Sequence, residues 1–102
     1  MSVAEIILEQ LGGNQFRVMT GAKNFVAGSR DLFFALPRMP GLNFHRVKVC
    51  LMPDDVYVVM FYRISGGHLK CLKSIGNVYA EDLRGVFERE TGLRTSLTAI
   101  YA

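Results

Sequence analysis

No apolar run in this chain of 102 residues approaches the roughly 18 needed to span a bilayer as a helix. Basic residues are missing from the opening, "MSVAEIILEQ", which carries two acids and so lacks the n-region of a secretory leader. The expectation is a cytoplasmic protein with no membrane partner. Cysteine is scarce, at two residues, and free thiols are expected in a reducing compartment. Neither an internal repeat nor a low-complexity tract occurs.

Catalytic signatures are absent as well. The chain holds no G-x-G-x-x-G, no G-x-S-x-G and no H-E-x-x-H. Asp54 and Asp55 adjoin each other, but neighbours in a turn point apart, and a hairpin loop explains them. His45 and His68 are lone histidines without an orienting partner in sequence. Paired with Cys50 and Cys71, they resemble a Cys₂His₂ ligand set. On strands, however, His45 and Cys50 have opposite parity and diverge, as do His68 and Cys71. No enzyme, no metal and no cofactor is the expectation.

"GGNQFRVMTGAKNF", residues 12–25, deserves a separate test because glycine, threonine, lysine and asparagine crowd together as in phosphate loops. A Walker A loop needs Gly-Lys-Ser/Thr after a four-residue spacer. Here Lys23 follows Ala22, and Asn24 stands where the metal-binding hydroxyl belongs. The stretch reads instead as helix stop, strand and turn. Its turn "TGAKN" remains able to form an anion nest, so Asn14, Thr20, Gly21, Lys23 and Asn24 are loop candidates for a functional contact.

What the chain does contain is a hydrophobic share of 50%, which argues against disorder. Its length suits one domain, residues 1–102, that folds without a staple. Charge is unevenly spread. Residues 12–78 hold nine of the bases against three acids, and the other six acids fall in the terminal segments. A basic middle hints at an anionic partner.

"SVAE" is a capping box, and Val3, Ile6, Ile7 and Leu11 follow at helical spacing until Gly12-Gly13 stops the helix. A second helix covers "YAEDLRGVFERETG", with Tyr79, Leu83, Val86, Phe87 and Glu90 on one side and Gly92 as the left-handed terminator. Between them the period drops to that of strands: "NQFRVMT", "DLFFALP", "FHRVKVCLM", "VYVVMFYR" and "HLKCLK". "NFVAGS" reads as a short strand or a loop. This predicts an α+β domain: an antiparallel sheet of about four to five strands, with an N-terminal and a C-terminal helix on one face.

Turn chemistry sets the register. Pro53-Asp54-Asp55 as a three-residue hairpin loop places Met52 opposite Val56, and Gly66-Gly67 as a two-residue turn places Ser65 opposite His68. One face then gathers Val47, Val49, Leu51, Tyr57, Val59, Phe61 and Leu72, apolar enough to seat both helices. The other gathers Arg46, Lys48, Cys50, Val58, Met60, Tyr62, Leu69, Cys71 and Lys73, in rows Arg46–Tyr62–Cys71 and Lys48–Met60–Lys73. Cys50 and Cys71 fall two strands apart, too far for a disulfide. Arg46, Lys48, Met60, Tyr62 and Lys73 are the interaction candidates.

The strings "LGGNQFRVMTGAKNF" and "YAEDLRGVFERETGLRTSL" resemble paired blocks in a family of small proteins of unknown function encoded by phages and other mobile elements. The resemblance runs nearly end to end, with a looser middle. It implies a genomic setting and a host-cell cytoplasm, and it assigns no activity and no residue role. The expected function is that of a protein-interaction module, either a homodimer or an inhibitor of a host factor, acting through the open sheet face. The alternative is weak nucleic-acid binding by a basic face with Tyr62 as stacking platform.

Overall fold

Ser2 caps the first helix: its hydroxyl accepts from the Glu5 N–H at 3.2 Å, while Glu5 Oε1 accepts from the Ser2 N–H. The structure, a computed structural model, describes residues 2–93 and 95. Nearly all of the tail "RTSLTAIYA" therefore lies outside the described residues. Helix α1 spans Val3–Leu11 and buries Ala4, Ile7 and Leu11. Gly12, at φ 129°, ends it with its N–H on the carbonyls of Leu8 and Glu9.

There the expected strand does not form. Gly13–Thr20 is a second helix, α2, so "NQFRVMT" is corrected from strand to helix. Phe16 and Thr20, four residues apart and hence on one helical face, are both buried. Val18, which an alternating strand would place beside Phe16, is 74% exposed. Tertiary packing overrides the local pattern: the Phe16 ring sits edge-on to Phe34 and Phe87, with centroids 5.4 and 5.1 Å away. Gly21 ends α2 in the left-handed region at φ 72°.

A five-stranded antiparallel sheet follows, in the order of the chain: β1 Lys23–Ala27, β2 Asp31–Ala35, β3 Arg46–Leu51, β4 Tyr57–Ser65 and β5 His68–Val78. Lys23 and Asn24, expected in a turn, open β1 instead, with Asn24 at φ 57° where the β1–β2 register slips. The β3–β4 register is the one the Pro53-Asp54-Asp55 loop predicts, from Leu51↔Tyr57 to Arg46↔Tyr62. The β4–β5 register agrees from Ser65↔His68 to Tyr62↔Cys71 and then shifts, since Phe61 faces Lys73. Leu72 is the extra residue of a β-bulge. The row Lys48–Met60–Lys73 is therefore corrected to Lys48–Met60–Ser74.

A 3₁₀ turn, Ala80–Asp82, leads into α3, Leu83–Thr91, and Gly92 closes it at φ 73° as expected. Tyr79 precedes the helical segment and is exposed, not part of the packed side. Residues from all three helices and the inward residues of the sheet share one core, including Ile7, Leu11, Phe16, Phe34, Val47, Val59, Phe61, Leu83 and Phe87. The helices thus cover one sheet face, and no described helix is long and apolar enough to cross a membrane.

Candidate interaction surface

The face turned away from the helices is read from the cross-strand pairs. One row runs Val26–Phe33–Lys48–Met60–Ser74 and the next Lys23–Ala35–Arg46–Tyr62–Cys71. On one flank lie Asp31, Cys50 and Val58, and on the other Ile64 and Leu69. Aromatic and aliphatic groups fill the centre. The Phe33 and Tyr62 rings lie 6.1 Å apart, and the Tyr62 hydroxyl donates to Met60 Sδ at 3.3 Å. Burial pushes the Tyr62 phenol and the Cys50 thiol above their ordinary pKa values, so both are uncharged at neutral pH. Val26, Ile64 and Leu69 are 59, 39 and 49% exposed.

Of the five face candidates, Arg46, Lys48, Met60 and Tyr62 are together on this surface. Lys73 is not. The bulge turns it to the helix side, where its Nζ meets Glu90 Oε1 at 2.6 Å. That ion pair, with Arg89, holds the Glu90 carboxyl below the usual range. The cations left on the face are partly occupied: Lys48 Nζ is 3.7 Å from Asp31, and Arg46 Nη1 donates to the His45 carbonyl at 3.0 Å.

The loop candidates divide. Thr20 Oγ1 donates to the Phe16 carbonyl and accepts from the Ala22 N–H, at 2.7 and 3.1 Å, so its polar group serves the end of α2. Gly21 packs where a Cβ would lie 3.2 Å from Pro37, and Asn14 is exposed on α2. Lys23 and Asn24 instead reach a cavity of about 290 Å³ at the corner of the sheet, with Arg38, His45 and Arg46. An adjoining cavity of about 260 Å³ is lined by Arg38, Phe44, His45 and Arg63 among others. His45 is buried, and its Nε2 has no hydrogen-bond partner among the described residues.

Sequence reasoning passed over Arg38, His45 and Arg63 as a group. The signal was in the hairpin register, which when extended by one residue sets His45 opposite Arg63, beside the Arg46–Tyr62 pair. A third cavity, about 470 Å³ between β5 and α3, mixes Glu81 and Asp82 with Arg89. Among the described residues no cluster of three or more metal-ligating side chains occurs. Compared with protein-family models, curated proteins and solved structures, the chain matches none.

Proposed function

We propose that this protein is an interaction module that joins a second copy of itself through the open face of its sheet. The observation that carries the reading is the apolar centre of that face, which no described residue covers, with Val26, Phe33, Val58, Met60, Tyr62, Ile64 and Leu69 on the side opposite the three described helices. Contiguous exposed apolar surface of this kind marks interaction sites on soluble domains. Strand spacing of ~4.8 Å and a rise of ~3.3 Å per residue make the face roughly 20 by 20–30 Å, at the low end of what one side of a standard interface buries.

Charge placement supports a symmetric partner. An isologous interface must complement itself. Asp31 lies in the row of Cys50 and Val58, while Arg46 lies in the row of Tyr62, at opposite ends of β3. A two-fold axis running across the strands lays the acidic end of one copy over the basic end of the other. Nucleic acid is less well served here, because Lys73 is engaged by Glu90 and Lys48 by Asp31.

Sedimentation over a concentration series tests the reading. Self-association is expected in the wild type, and Tyr62→Glu abolishes it by placing a charge at the apolar centre. Val18→Glu, a substitution of an exposed apolar residue on α2, leaves it intact. A wild type that stays monomeric at the highest concentrations, or loss of association in Val18→Glu alone, refutes it.

A further inference from the structure

The corner cavity holds a concentration of charge of which the self-association reading uses only Arg46. Lys23, Asn24, Arg38 and Arg46 surround His45 in one cavity, and Arg63 joins Arg38 and His45 in the next. Neither lining includes an acidic residue. Among the described residues, no carboxylate pairs with Lys23, Arg38, Arg46 or Arg63. Four cations from three strands and a loop thus converge uncompensated. At their centre lies a buried imidazole whose Nε2 lacks a partner. An orphaned buried polar atom is costly, and native structures rarely retain one without a reason.

We infer that this cavity is an oxyanion site that takes a phosphate group. Arginine and lysine at the exposed rim supply the donors suited to phosphate oxygens, and buried His45 supplies one more from the floor. The space, about 290 Å³, lies at the small end of ligand pockets and suits the group itself more than a large ligand. Among the described residues no Phe, Tyr or Trp ring lines it, so there is no broad platform for a base. Recognition falls on the phosphate.

Protonation follows from the same geometry. Burial, and then Arg38, Arg46 and Arg63, lower the His45 pKa, so the imidazole is neutral at pH 7 in the free protein. The other lining groups, Lys23 and Asn24, add one further cation and no acid. An oxyanion offsets the three arginines and accepts from the imidazolium, so it binds the protonated form more tightly. Binding then takes up a proton, and affinity rises as pH falls, by at most about tenfold per unit for one linked proton.

The test is an NMR titration following the His45 ring, with exposed His68 as internal control. Sulfate, which keeps its charge in this range, reads the pH linkage, while inorganic phosphate, AMP and adenosine define the group recognised. Saturable shifts of His45 with sulfate, phosphate and AMP are expected, with a raised His45 pKa and no saturable shift at His68. Tighter binding of AMP than of phosphate identifies an ester as the source, and equal binding shows that the free ion suffices. Arg38→Ala, at the exposed rim, is expected to weaken binding about tenfold or more. It leaves self-association unchanged, so the two readings fail separately. Equal response to chloride at matched ionic strength, binding of adenosine as tight as AMP, or an unaffected Arg38→Ala overturns the inference.

Discussion

Replacing Phe16 and Val18 one at a time with alanine separates a helix at residues 13–20 from a strand. In a strand the two side chains share a face, and their losses are felt together. In α2 they do not: Phe16 is fully buried and Val18 is 74% exposed. Phe16 packs edge-on against Phe34 and Phe87, and a Cβ placed on Gly12 would lie only 3.2 Å from its Cβ. The site is closely confined and cannot collapse freely. Truncating a buried phenylalanine to alanine costs about 3–5 kcal/mol, a large share of the roughly 5–15 kcal/mol of a small domain. Val18→Ala removes little packed surface and improves helix propensity, so it falls within about 0.5 kcal/mol of the wild type. Urea denaturation reads both. With m about 1–2 kcal/mol/M for a small protein, Phe16→Ala lowers the midpoint by a few molar or leaves the chain unfolded. Phe16→Leu, a smaller loss, keeps the comparison measurable. Protein concentration is held fixed, because the proposed self-association would add to apparent stability. A cost below about 1 kcal/mol for Phe16→Ala, or above about 2 for Val18→Ala, would refute the packing assigned to α2.

Two further outcomes are expected. Tyr57→Phe removes the 2.6 Å hydrogen bond from the phenol to Gln10 Oε1 that ties β4 to α1, and costs about 0.5–1.5 kcal/mol by urea midpoint; no change would show that water replaces the bond without loss. Stability also falls on mild acidification: the native His45 pKa lies below its ordinary value, so the unfolded chain takes up its proton near pH ~6.5 while the native one resists. Unfolding free energy is then flat above neutrality and declines as pH drops through ~6.5 toward the native pKa. His45→Asn flattens that limb without altering the later acid loss, which arises from the lowered pKa values of Glu5 and Glu90. An unchanged slope between pH ~7 and ~5 in His45→Asn places the pH sensitivity elsewhere.

Where local chemistry dictates geometry, the sequence was legible. Ser2 and Glu5 announce α1, and Gly92 ends α3 in the left-handed region. Gly66 and Gly67, at φ 57° and 80°, supply the paired positive dihedrals of a two-residue hairpin turn. Asp55, at φ 65°, does the same for the three-residue loop. These turns fix the register, and the register fixes which residues of β3 and β4 face the helices. Misreadings arose where distant residues decide. Residues 14–20 alternate polar and apolar like a strand, and only the gap between Phe34 and Phe87, filled by Phe16, makes the helix win. The bulge at Leu72 is likewise invisible locally, because Cys71, Leu72 and Lys73 contain no glycine or proline to mark it. Its effect is seen in Lys73, which it brings to Glu90 on α3. The corner cavity escaped for a third reason: its cations come from β1, β3, β4 and the loop before β3.

The nine bases of residues 12–78 do not form one field. Arg17 stacks over Phe25, 5.5 Å from its centroid, and Arg30 donates to the Leu51 carbonyl at 3.2 Å. Lys48 and Lys73 have carboxylates, and Lys70 lies beside the β4–β5 turn, paired with Arg63 in register. Lys23, Arg38, Arg46 and Arg63 alone converge, and they do so around a buried, unpartnered imidazole. Exposed charges farther apart than a Debye length of ~8–10 Å act almost independently. A net excess spread over the sheet therefore recruits nothing strongly, whereas four cations at one corner create a local potential that an anion relieves. The folded register, more than the count of lysines and arginines, gives this chain its one concentrated positive feature among the described residues. It also leaves the neighbouring face largely apolar, the feature on which the proposed self-association rests.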